Sequence, residues 1–203
     1  MFQKYRTMTN RKYRIITNLM IPLGIMIITI VLCKYFGYLT DLFMVGVFMT
    51  AEVMEDYFGF GSICKKNQLG MDFLKNGYHG MKYFEDAIIV DLFLRPVRIA
   101  VYAFVVGWPY ICQGGSAWVV LEQAALASVI SIASVNIMRY IDMAQLVYTC
   151  AIVFVGIYMA FAVILYLYGN IVITVVLGIG LMAVTAMTYY HMACVIRKSY
   201  IDR

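Results

Sequence analysis

The basic residues of this 203-residue chain are confined almost entirely to alternate gaps between long apolar stretches. Lys4, Arg6, Arg11, Lys12 and Arg14 precede the first stretch, and Lys65, Lys66, Lys75, Lys82, Arg95 and Arg98 fill the gap between the second and third. Arg139 stands between the fourth and fifth, and Arg197, Lys198 and Arg203 follow the sixth. Of the sixteen Lys and Arg residues, Lys34 alone sits in another gap. Cytoplasmic loops of membrane proteins retain Lys and Arg, whereas outer loops lack them. The pattern therefore predicts six transmembrane helices with both termini cytoplasmic.

Composition requires the same solvent. The chain is 64% hydrophobic and 13% charged, with a mean hydropathy of +0.83. A soluble domain of this length could not bury so much apolar surface. The expected fold class is an all-α integral membrane protein forming one membrane domain over 1–203, located in the cell membrane. The net charge of +5 belongs to the cytoplasmic face and to contact with anionic lipid, not to nucleic acid. Five Cys (Cys33, Cys64, Cys112, Cys150 and Cys194) are scattered singly, so a zinc or redox centre is not expected. Cys33 and Cys112 fall near the outer ends of predicted helices, where a disulfide is geometrically possible; single apolar thiols are the plainer reading. No small-residue cleavage site follows the first stretch, so it is expected to remain as a helix.

A helix needs roughly 20 apolar residues to cross the bilayer core. The expected spans are about 15–33, 42–64, 96–112, 117–138, 143–168 and 171–196. Pro22 predicts a kink in the first. Residues 34–41 form a short outer gap with Tyr35, Phe36 and Tyr38 as interface aromatics. The cytoplasmic loop 65–86 places Met71, Leu74 and Tyr78 at helical spacing, which predicts a short amphipathic helix at the membrane surface. The third helix is expected to begin near Lys82 at the interface, and its Asp91 and Arg95, four apart, can pair. Trp108-Pro109-Tyr110 and Trp118 bracket an outer turn at 113–116 and fit an aromatic belt. Ala124, Ala127, Ser128, Ser131 and Ser134 form a narrow small-residue face on the fourth span, and Gly156 and Ala160 are expected to act likewise on the fifth. Gly169-Asn170 joins the fifth and sixth spans.

The second span is the least apolar, and its Glu52, Glu55 and Asp56 share a broad helical face. Carboxylates in a bilayer face the bundle interior, a watery cavity or a cation. They read as an ion or substrate pathway, or as a polar lining paired to Arg95, Arg98 or Arg139. A metal site is not expected, because His79 and His191 are remote from these acids in sequence. His191 and Cys194, three apart, leave a membrane peptidase open as an alternative. No phosphate-binding GxxxxGK[ST] loop occurs. The chain is therefore not expected to be an enzyme with its own ATPase motif.

The segment Lys66-Asn67-Gln68-Leu69-Gly70-Met71-Asp72-Phe73-Leu74, followed by Gly77-Tyr78-His79-Gly80-Met81-Lys82, carries a resemblance. From Tyr57 to Asp91 it resembles the coupling-helix region of type-2 ATP-binding-cassette permeases, and six spans with both termini inside also fit that family. Two features depart from it. The family's turn Pro is absent, with Gly77 near its place, and only Gly169-Asn170 stands where a sizeable outer insertion is common. The resemblance implies a compact permease subunit moving an amphiphilic substrate, a peptide or lipid-like molecule. It implies a cytoplasmic ATPase subunit as partner, with ATP bound there and no cofactor in this chain, and a second permease copy or homologous permease. It also implies that Gly70, Phe73, Leu74 and Tyr78 meet the ATPase. The alternatives from the residues themselves are an ion-coupled secondary transporter or vitamin-binding subunit using Glu52, Glu55 and Asp56, a membrane enzyme, and an immunity or assembly protein.

Overall fold

The computed structural model describes residues 15–58, 79–138 and 144–201. Among them the chain is all-helical: α1 (Ile21–Phe36), α2 (Tyr38–Phe58), α3 (Gly80–Cys112), α4 (Ala117–Met138), α5 (Ala144–Tyr168) and α6 (Ile171–Ile201). Among the described residues, three helices are long and apolar enough to cross a membrane: Ala117–Met138, Gln145–Tyr168 and Ile171–His191. The amphipathic segment, with Gly70, Phe73, Leu74 and Tyr78, lies outside the described residues, as does Arg139.

A π turn, Ile16–Met20, leads into α1, and the Ile21 N–H bonds back to the Ile16 carbonyl. Pro22 follows at once. Proline has no N–H, and its ring collides with the carbonyl four residues back in a regular helix. A wider turn beside it relieves that crowding, so the irregularity expected from Pro22 takes this form.

The gap expected over 34–41 is absent. The chain stays helical to Phe36 and resumes at Tyr38, and Gly37 alone makes the connection with φ at +65°. That left-handed backbone costs a glycine little. The Gly37 carbonyl then accepts the Thr40 N–H at 3.1 Å and starts α2. The third helix begins at Gly80, close to the start expected near Lys82. It runs unbroken through Pro96 and Pro109 over 33 residues, about 50 Å at 1.5 Å per residue. The turns at 113–116 and 169–170 fall where expected. Asn170 caps α6 through its Oδ1, which accepts the N–H groups of Val172 and Ile173 at 3.0 and 3.2 Å.

The central helix is α4, which packs on α2, α3, α5 and α6. In its most apolar stretch 67% of the residues are buried, against 22% for α5 and 6% for α6. Its small residues explain the difference. Ala124, Ala127, Ser128, Ser131 and Ser134 are all buried, and Ser128 and Ser134 donate to carbonyls of their own helix at 2.7 and 2.9 Å. Short side chains that satisfy themselves locally let neighbouring backbones approach. On α3, Gly107 meets α4 so closely that a Cβ there would stand 2.9 Å from the Val120 side chain. Gly156 and Ala160 on α5, expected to play the same part, are instead exposed. The buried face of α5 is Val147, Ala151, Tyr158, Ala162 and Leu165, set a fraction of a turn away. Both faces are apolar, so sequence periodicity does not say which one turns inward. Gly107→Ala is expected to lower the thermal stability of the purified protein in detergent by about 1–3 kcal/mol through overpacking. Gly156→Ala is expected to leave it unchanged or slightly raised.

Candidate functional site

Six charged residues of α2 and α3 meet in one largely buried network. Glu52, Glu55 and Asp56 occupy one stripe of α2 at steps of three and four, and Asp91, Arg95 and Arg98 do the same on α3. Packing α2 on α3 sets the stripes face to face. Arg95 lies at the centre, 2% exposed. Its Nη2 donates to both Asp91 oxygens at 3.2 Å and to Asp56 Oδ1 at 3.1 Å. Its Nη1 donates to the Glu52 backbone carbonyl at 3.3 Å and stands 3.6 Å from Glu52 Oε2. Arg98 Nη2 reaches Glu52 Oε2 at 3.0 Å and its Nη1 reaches Glu55 Oε2 at 3.4 Å. The structure thus brings together all three acids singled out in the sequence and pairs them with the arginines, including the Asp91–Arg95 step of four.

The network is graded. The side chains of Arg95, Asp56 and Asp91 are almost sealed, whereas Arg98 is 20% and Glu55 12% exposed. A guanidinium suits the sealed position, because its planar fork serves several carboxylate oxygens at once. The exposed edge borders a cavity of about 240 Å³ between α1, α2 and α3, lined in part by Glu52 and Arg98.

A second polar group lies near the other ends of the helices, and the sequence reading passes over it. Glu122 on α4 is fully buried; its Oε1 accepts the Thr174 hydroxyl at 2.8 Å, and its Oε2 rests against Gly169. The next residue, Gln123, donates to the Ala162 carbonyl at 2.9 Å. Tyr38 stacks on Tyr110 with centroids 4.0 Å apart and lies 5.1 Å from the Tyr166 ring. The buried Asp41 carboxylate is within electrostatic reach of the Tyr38 and Tyr102 hydroxyls. One signal was available: an acid inside an otherwise apolar span marks a bundle interior or a functional position.

His191 and Cys194 share α6, where His191 is exposed and Cys194 is a free thiol. Cys112 and Cys150 are also free thiols. Among the described residues, no group of three or more His, Cys, Asp or Glu side chains is placed to hold a metal ion. Compared with known proteins, the chain matches no family model, no curated protein and no solved structure.

Removing one partner from a buried ion network leaves the other charge without compensation. Arg95→Ala is therefore expected to destabilise the fold by about 3–5 kcal/mol in a denaturant or thermal series. Arg98→Ala, at the more exposed edge, is expected to cost clearly less. Equal losses would contradict the graded network.

Proposed function

We propose that the chain is the membrane-spanning permease subunit of a transporter driven by a separate cytoplasmic ATPase. In this reading all six helices cross the bilayer, with both termini on the cytoplasmic side of a cell membrane. The apolar side chains exposed on α1, α3, α5 and α6 face lipid or a second permease copy. At 33 and 31 residues, α3 and α6 exceed a bilayer span and extend into the cytoplasm. Arg95 lies 17 residues from Cys112, about 26 Å along the helix, which sets the network near the cytoplasmic boundary.

One observation carries the proposal. Arg95 and Arg98 tie α2 to α3 on the side from which the connecting segment leaves. Two helices joined by buried ion pairs respond to a push as one body, whereas independent helices would absorb it. A partner ATPase that grips Gly70, Phe73, Leu74 and Tyr78 would thereby tilt α2 and α3 together. The resemblance over Tyr57 to Asp91 and the basic charge concentrated in this region agree with that role.

A second reading keeps the same site. Within the described network four carboxylates meet two guanidiniums, which favours cation or proton binding at Glu52, Glu55 and Asp56 in an ion-coupled carrier. The two readings separate in reconstituted liposomes. A driven permease is expected to co-purify with an ATPase when produced with its natural neighbours. Leu74→Asp should then detach the ATPase while helix content is retained, and Arg98→Ala should retain it but reduce transport per ATP hydrolysed. Absence of any bound ATPase, with cation dependence lost in Glu52→Gln and Asp56→Asn, would favour the carrier.

A further inference from the structure

The cavity between α1, α2 and α3 combines features that the ion network does not need for stability. Its floor is the Glu52–Arg98 pair, and Phe48 and Tyr102 stand above it with ring centroids 4.0 Å apart, stacked at 12°. Its mouth is Val97, Val101 and Val105, exposed by 58%, 60% and 42%. Those three residues lie on a stripe of α3 at steps of four. The cavity therefore opens sideways between α1 and α3, not along the bundle axis.

Glu52 differs from the other acids of the network. It is 3% exposed, and its Oε2 is held by ion pairs to Arg98 at 3.0 Å and Arg95 at 3.6 Å without a well-aligned hydrogen bond. Arg98 is meanwhile divided between Glu52 and Glu55. An incoming cation can take the Glu52 carboxylate while Arg98 keeps Glu55, and no charge is stranded by the exchange. An anion cannot enter on equal terms, because a negative group at Arg98 would stand beside buried Glu52, where repulsion is little screened. Phe48 and Tyr102 both line the cavity, and aromatic rings attract a cation held close to them. The volume of about 240 Å³ falls short of the roughly 300–1,000 Å³ of a drug-sized pocket. It suits a head group and the first part of a chain, with the remainder outside along the valines.

We propose that this cavity is a lateral binding site for a cationic single-chain amphiphile, whose ammonium group pairs with Glu52 and whose alkyl chain lies along Val97, Val101 and Val105. The proposal gives a substrate class to the transport reading above and rests on its membrane placement, but not on its ATPase.

The test is equilibrium binding of radiolabelled dodecyltrimethylammonium to the full chain in nanodiscs of uncharged lipid, below the micelle concentration and relative to empty nanodiscs. Dodecyl sulfate, of equal chain length and opposite charge, is measured alongside. Saturable binding of the cation is expected, with a preference of about tenfold or more over the anion. Glu52→Gln should weaken cation binding about tenfold. Val101→Trp, at the exposed mouth and away from the ion pairs, should weaken it without loss of thermal stability. Equal affinity for the two amphiphiles, or cation binding unchanged in a folded Val101→Trp protein, would overturn the site. A chain that binds the cation but recruits no ATPase keeps this site and loses the driven-permease reading. A chain that recruits an ATPase but prefers dodecyl sulfate keeps that reading and loses the site.

Discussion

A guanidinium withdrawn from water must recover its hydration from fixed carboxylates, and Arg95 does so from three at once. Desolvating such a group costs several kcal/mol, so the exchange is tolerable only while its partners hold their positions. Two of those partners belong to α2 and one to α3. The pair is thereby fixed in register, because a slide of one residue along either helix would separate Arg95 from Asp56. Helices α1 and α4 both pack on this pair. Fixing the register in this way selects one arrangement among the many that apolar helices could adopt.

The interior is polar at two levels and apolar between them. Asp41 and Glu52 lie on the same helix, 11 residues and about 16 Å apart. Tyr102 of α3 relates to both: Asp41 lies within its electrostatic reach, and it lines the cavity that Glu52 borders. The remaining wall is built by α4, whose small residues bring α2, α3, α5 and α6 within contact of one helix. Among the described residues, the cavity lined by Glu52 and Arg98 lies toward α1, at the periphery of the bundle. The largely apolar groove between α3 and α6, about 620 Å³, shows the same bias.

Much of this is legible in the sequence. The six apolar stretches, the turns at 113–116 and 169–170 and the small face of α4 followed from hydropathy and spacing. So did the common face of Glu52, Glu55 and Asp56 and the Asp91–Arg95 pair, because both are local consequences of 3.6 residues per turn. The gap at 34–41 was overestimated because Lys34 and the aromatics that follow read as a loop. In the fold one left-handed glycine turns the chain and both helices continue to meet it. On α5 the close contact expected of the small residues Gly156 and Ala160 is made instead by the large Tyr158, which is fully buried. The Tyr158 ring packs against Gly46 on α2.

Local spacing along the chain was enough to say that this protein is helical, that its charged residues are segregated, and which acids share a face. Those properties depend on neighbours within one or two turns. Which acids meet which arginine, whether Glu122 is buried, and where a cavity remains between α1 and α3 depend on how separate helices approach one another. Such contacts join residues as far apart as Glu52 and Arg98 or Glu122 and Thr174. Close packing selects them by shape, and the shape exists only once the helices are assembled.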